Sequence, residues 1–157
     1  MSSPELAAAL GRVASGIFVL TCRRGDDEAA MLASWVQQCS FEPPMLSVAV
    51  RRGREVAGWL AAGSPFAINV LAEGQKELLS HFGKGLALAK LPDAQRRVAR
   101  PDGQAAELIE ALAVLHCEPG ASYDAGDHHL IVGQIIDGRL RADERPMIHV
   151  RKSGLNY

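Results

Sequence analysis

The sequence predicts a mainly β (α+β) fold, a β-barrel with peripheral helices. Three observations point there. Six or seven short β-rich runs are spread along the chain, two or three short helical stretches lie between them, and there is no βαβα alternation with a phosphate loop. At 157 residues the chain suits one domain, residues 1–157. A domain of this size buries about 70% of the surface its unfolded chain exposes, so its core needs no metal or disulfide staple.

The elements follow in order. Glu5 to Ala14 reads as a helix, with Ser3 as N-cap, Pro4 at the first helical position and Gly16 beyond its end. Ile17 to Cys22 is β-rich, the polar run Arg23 to Glu28 closes it, and Ala29 to Val36 resumes apolar, as in a hairpin. Pro43-Pro44 stops any helix, and Met45 to Val50 is a strand. Glu55 to Ala62 reads as a helix ended by Gly63-Ser64-Pro65, Phe66 to Leu71 as a strand, and Gln75 to Phe82 as a further helix. Gly83 to Gly103 has no clean period and reads as a partly helical surface excursion. Ala113 to Glu118 and Leu130 to Ile136 read as strands separated by a turn-rich loop, Pro119 to Asp127. Asp137-Gly138 reads as a hairpin turn, and Ile148 to Val150 as a last short strand.

Composition excludes several classes of function. The chain is 48% apolar and 22% charged with a net charge of −1, so it lacks the basic footprint that nucleic-acid binding requires. No apolar run approaches the ~20 residues needed to span a bilayer, and the N-terminus has neither a basic start nor a signal-type cleavage site. A soluble, cytoplasmic protein is expected. Cys22, Cys39 and Cys117 are an odd number at wide spacing, which argues against a disulfide framework and a zinc site and suits a reducing compartment.

Four segments carry candidate chemistry. In Ala33 to Pro44, small residues such as Ala33, Ser34 and Ser40 allow close approach of the backbone to a flat ring. Trp35 can lie along a ring edge, and the hydroxyls suit phosphate oxygens. The alternative is a strand and loop with Trp35 in the core. Arg51, Arg52 and Arg54 around Gly53, ahead of a helix, form either an anion pocket or a solvated positive turn. Asp127-His128-His129 holds the one histidine pair. Adjacent strand residues point to opposite faces, so at most one histidine faces a pocket; the other reading is a hydrogen-bonded loop histidine. The tail Arg151 to Tyr157 is either a plain terminus or a flap over a ligand.

The order of these pieces resembles the flavin reductase-like family across nearly the whole chain. Leu10 to Thr21 is similar to the family's opening strand. Met31 to Pro44, Leu46 to Val50 with Arg54, Phe66 to Leu71, Glu77 to Phe82 and Gly126 to His129 follow in the family's order. Ala33-Ser34-Trp35-Val36 and Arg151 to Tyr157 look most like the flavin reductase module at the C-terminus of cyanobacterial flavodiiron proteins. The resemblance implies a homodimeric FMN-binding split β-barrel with one flavin per subunit near the dimer interface.

By that resemblance Ala33, Ser34, Trp35 and Val36 line the isoalloxazine. Ser40 and Arg54 take the flavin phosphate, His128 stands where the nicotinamide approaches, and Phe82 and Tyr157 close the pocket. The cofactor is FMN, with FAD as the alternative flavin, and NADH or NADPH is the co-substrate. Two departures stand out. The segment between Phe82 and Ala113 is shorter than in many relatives and rich in Ala, Lys and Arg, and Cys39 stands where relatives often carry Ser or Ala.

The leading reading is an NAD(P)H-dependent flavin reductase that passes electrons onward, in which no side chain need be a strong acid or base. A second reading is an FMN-binding electron carrier reduced by a redox partner protein, with Arg96, Arg97 and Arg100 as docking residues. A third is a relative that has lost the flavin.

Overall fold

The computed structural model describes residues 3–91, 97–98 and 102–156, with backbone placement alone for 97–98. Helix α1 (Pro4–Gly11) starts as its sequence demands. The Leu6 N–H donates to Ser3 Oγ at 3.0 Å, and Pro4 opens the helix, where its missing N–H costs nothing. It ends at Gly11, not Ala14, because Ser15–Gly16 leave to form β1.

Strands β2 (Phe18–Arg24) and β3 (Asp27–Ala33) make the expected hairpin, with Gly25 at φ +60° supplying the turn. The chain then departs from expectation. The predicted strand through Val36 breaks after Ala33, and a separate strand β4 (Val36–Phe41) folds back on β5 (Pro44–Arg51). The Glu42–Pro43 peptide in this hairpin is cis. Strand β4 lies at the sheet edge with Gln37, Gln38 and Cys39 exposed, so its composition reads as loop although its backbone is paired.

Helix α2 (Glu55–Ala61), strand β6 (Phe66–Val70) and helix α3 (Lys76–Gly83) follow where expected. After them come a 3₁₀ turn (Leu88–Lys90) and two short paired strands, β7 (Arg97–Val98) and β8 (Glu107–Leu108).

The largest correction concerns β9 (Ala113–Ala125) and β10 (His128–Leu140). They form one long hairpin turning at Gly126-Asp127. Most of the predicted loop Pro119 to Asp127 is therefore strand. The reason is positional: β6 pairs with β9 only as far as Cys117, so Pro119 lies where β9 has a single neighbour and its missing donor breaks no ladder. Asp137-Gly138 is not a hairpin turn but lies inside β10, beside a register shift between Ile135 and Asp137. Strand β11 (Ile148–His149) pairs with β1.

Seven strands form one antiparallel sheet in the order β3-β2-β6-β9-β10-β5-β4. It does not close on itself, as suits a split barrel, and the helices lie around it. One face gathers Leu20, Val48, Val50, Phe66, Ile68 and Ile131 against α2, whose Val56, Trp59 and Leu60 are buried there. On the other face Val19, Ala67 and Val114 are covered by Leu78 and Phe82 of α3 and by Leu88, Ala105, Ala106 and Leu108. The strict alternation in β5, where Leu46, Val48 and Val50 point inward, leaves Ser47 and Ala49 on the second face. Among the described residues no helix is long and apolar enough to cross a membrane.

Candidate functional site

The second face of the sheet is covered over β2, β6 and β9 but opens into a cleft of about 390 Å³ over β10, β5 and β4. Its walls include Ser34, Trp35, Gln37, Ala49, Leu130 and Arg151. Cross-strand pairing fixes this lining: Leu130 lies opposite Ala49 and Gln37 opposite Ser47, so all four share one face. An apolar floor with a few convergent polar groups, at this volume, is what a small-molecule site needs. The break between β3 and β4 puts Ser34 and Trp35 at the cleft wall, where the Ala49 N–H donates to the Trp35 carbonyl at 3.0 Å.

His128 opens β10 opposite Arg51 and lies 4.8 Å from Trp35, ring centroid to ring centroid, at 47°. Its Nδ1 lies 2.7 Å from Asp127 Oδ1. An ionised carboxylate only accepts, so Nδ1 is the donor, and Nε2 is left as the nitrogen a ligand can meet. The hydrogen bond from His128 holds the Asp127 carboxyl below its ordinary pKa. His129 points to the opposite face and pairs with Asp124 at 3.0 Å, and Asp124 also holds Arg52 at 3.2 Å. One histidine of the pair therefore lies on the Trp35 face of the sheet and the other on the opposite face, as strand alternation requires.

The remaining predicted residues are more scattered. Val36 lines the cleft beside Trp35. Ala33 is buried in the first core, and its side chain does not line the cleft. Phe82 is buried under α3, edge-on to His81 at 4.8 Å, and does not border the cleft either. Arg54 caps α2 from an exposed position, near the His128 end of β5. Ser40 pairs with Met45 at the other end of that strand, six residues from Arg51, or about 20 Å. Ser40 and Arg54 thus stand beside opposite ends of β5. Tyr157, Arg96 and Arg100 lie outside the described residues, as does the side chain of Arg97.

In the sequence Arg151 is only the start of the tail, yet its guanidinium carbon lies 5.2 Å from the Trp35 ring centroid. The signal that could have found it is the pair Gly11 and Gly154. A β-carbon on Gly11 would lie 2.4 Å from the Arg151 carbonyl oxygen, and one on Gly154 would lie 2.1 Å from Leu10 Cβ. Both glycines let the tail lie directly on the end of α1. The Arg151 N–H donates to Gly11 O at 3.0 Å, and the Gly154 N–H to Ala7 O at 2.7 Å.

Comparison with known proteins agrees with this architecture. The Flavin reductase like domain matches residues 10–154. The chain is 35% identical over 160 residues to Diflavin flavoprotein A 1 of Synechocystis sp. (strain ATCC 27184 / PCC 6803 / Kazusa), covering 98% of this chain and 27% of that protein. It thus spans about a quarter of the length of that relative. Among solved structures it resembles the Streptomyces globisporus C-1027 NADH:FAD oxidoreductase SgcE6 (TM-score 0.81, 24% identity, 96% of this chain and 86% of that one). It also resembles the flavin reductase PheA2 in its native state (TM-score 0.80, 23% identity, 96% and 94%). At such identities the two structures speak to the fold. The chain belongs to the flavin reductase-like domain family.

Proposed function

We propose, with that family membership as the premise, that the chain is an NAD(P)H-dependent flavin reductase that binds FMN in the cleft beside Trp35. The observation that carries this is the cleft itself. It joins the indole of Trp35 with the small side chains of Ser34, Ser47 and Ala49, and the imidazole of His128 packs against that indole at the edge of the lining. These residues fit a flavin: the small side chains admit a flat ring system, and Ser34 and Ser47 carry hydroxyls that can meet its polar edge. When bound, the flavin supplies the redox chemistry, taking a hydride from a nicotinamide and handing electrons on.

The chain's own residues bind, orient and exclude water. Trp35 forms a wall, and Ser34 supplies a polar contact. His128, oriented by Asp127, presents Nε2 where a nicotinamide carboxamide can be met. Of the two residues offered for the phosphate, Arg54 is assigned it because it lies at the His128 end of β5. The active form is a homodimer. Val13 and Ile148 border the cleft at 68% and 65% exposure, an apolar rim that a second copy would cover. The reduced flavin serves a partner that accepts its electrons.

The test is an anaerobic visible spectrum of the protein with FMN, before and after NADH and NADPH. Loss of the band near about 450 nm on adding either nucleotide is the expected result. Bound flavin that stays oxidised would point instead to an electron carrier reduced by a protein donor. No flavin uptake would overturn the reading altogether.

A further inference from the structure

We propose that Arg151 reads the redox state of the flavin: held over Trp35 by the docked tail, its guanidinium favours the reduced, negatively charged flavin over the oxidised, neutral one. The inference rests on the flavin reading of the cleft and deepens it.

Three observations carry it. Arg151 is the one charged side chain among the described residues that line the cleft. An arginine keeps its charge at any pH the protein meets, so this positive charge is permanent. It is also anchored. On its N-terminal side β11 pairs with β1, with His149 opposite Ser15 and Ile148 opposite Gly16. On its C-terminal side the Gly154 N–H donates to Ala7 O, and the Arg151 N–H itself donates to Gly11 O. The backbone thus holds the residue from both sides, and the side chain is left to lie over the indole at 5.2 Å.

The chemistry follows from the charge. A flavin that has accepted a hydride, with its two electrons and one proton, carries one negative charge more than the oxidised ring. A fixed cation in a partly desolvated cleft discriminates between the two. The neighbouring arginines Arg51 and Arg52 do not line the cleft. Retaining the reduced flavin until an acceptor arrives is the consequence.

The test compares the wild-type chain with Arg151→Gln and Arg151→Lys. FMN binding is titrated anaerobically for the oxidised and the dithionite-reduced form, and the midpoint potential of the bound flavin is measured. The backbone contacts do not involve the side chain, so both variants should keep the fold, which circular dichroism checks. Arg151→Gln should weaken binding of reduced FMN about tenfold more than that of oxidised FMN. That preference converts to a two-electron potential about 30 mV more negative. Arg151→Lys should retain most of the wild-type preference. Equal weakening of both forms, or an unmoved potential, would overturn the role of Arg151 while leaving flavin binding intact. Equal loss in the Gln and Lys variants would show that shape, not charge, is what matters, and would overturn it too. A wild-type protein that binds neither form would remove the functional reading itself, and this inference with it.

Discussion

The two halves of the sheet's second face are built from the same strands' alternation and finished in opposite ways. Over β2, β6 and β9 the buried polar side chains Thr21, Asn69 and His116 are covered and hydrogen-bonded. Thr21 Oγ1 donates to the Ala106 carbonyl, the Leu108 N–H donates to Asn69 Oδ1, and Asn69 Nδ2 donates to the Val19 carbonyl. Glu107 and His116, each 1% exposed, meet at 2.7 Å, and Arg141 closes the group on Glu107 while donating to the carbonyls of Leu108 and Ile109. Over β10, β5 and β4 the polar groups border an open cleft, and the side chains are small or flat. The covered half holds the fold, and the open half is where the flavin is proposed to bind. The described residues of the segment between Phe82 and Ala113 belong to the covered half, where Leu88, Ala105, Ala106 and Leu108 are packed.

The strongest way to break this contrast is to remove Glu107. Taking away the buried Glu107 carboxylate leaves the Arg141 charge and the His116 ring nitrogen without this partner, at a cost of about 3–5 kcal/mol. Glu107→Ala should lower stability by that order in urea unfolding, and Glu107→Gln, which keeps some hydrogen bonds, by less. FMN affinity of the folded fraction should not change. A Glu107→Ala protein of wild-type stability would mean that the covered half is not held by this cluster.

A smaller effect, on the other half, is expected from Trp35. Trp35→Ala removes the cleft wall and the partner of both His128 and Arg151. Aromatic contacts add about 0.5–1.5 kcal/mol beyond area burial, so FMN affinity should fall about tenfold or more. Stability should move little, because Trp35 is only half-buried. Fluorescence titration of FMN and a melting curve on one preparation separate the two quantities. A large fall in melting temperature with unchanged affinity would reverse the assignment of the halves.

The two halves also differed in how legible they were. The hairpin of β2 and β3, the capped start of α1 and the strands under α3 announce themselves by apolar period and turn chemistry, because one face of each is buried. The edges of the cleft are half-solvated, and there local chemistry misleads. Gln37, Gln38 and Cys39 look like loop because edge strand β4 owes its form to β5 rather than to its own side chains. Pro119 and Gly120 look like a turn because nothing local reveals that β9 has lost its second neighbour at that point. Site residues were legible where strand alternation sufficed, as for Trp35 and His128. Ala33 and Phe82 are drawn into the cores instead, and Arg151 depends on a long-range contact with α1.

The finest probe of the open half is Asp127, whose role is to aim His128 rather than to meet a ligand. Asp127→Asn keeps the shape and removes the charge. Reduction of bound flavin by nucleotide should slow by less than about tenfold, short of the loss in His128→Ala, with FMN affinity unchanged in both. The pH dependence has a definite sign. The Asp127 carboxyl titrates below its ordinary value, chiefly through the hydrogen bond from His128, so the carboxylate's contribution is fully present above the ordinary carboxylate range. It is lost only as pH falls through the lowered value. Across neutral pH the Asp127 carboxylate therefore stays ionised and able to accept from His128 Nδ1. Stopped-flow reduction of wild-type protein, Asp127→Asn and His128→Ala at one neutral pH, where the Asp127 carboxylate is fully ionised, compares the three rates. A loss in Asp127→Asn as large as that in His128→Ala would mean that Asp127 is more than a positioning residue.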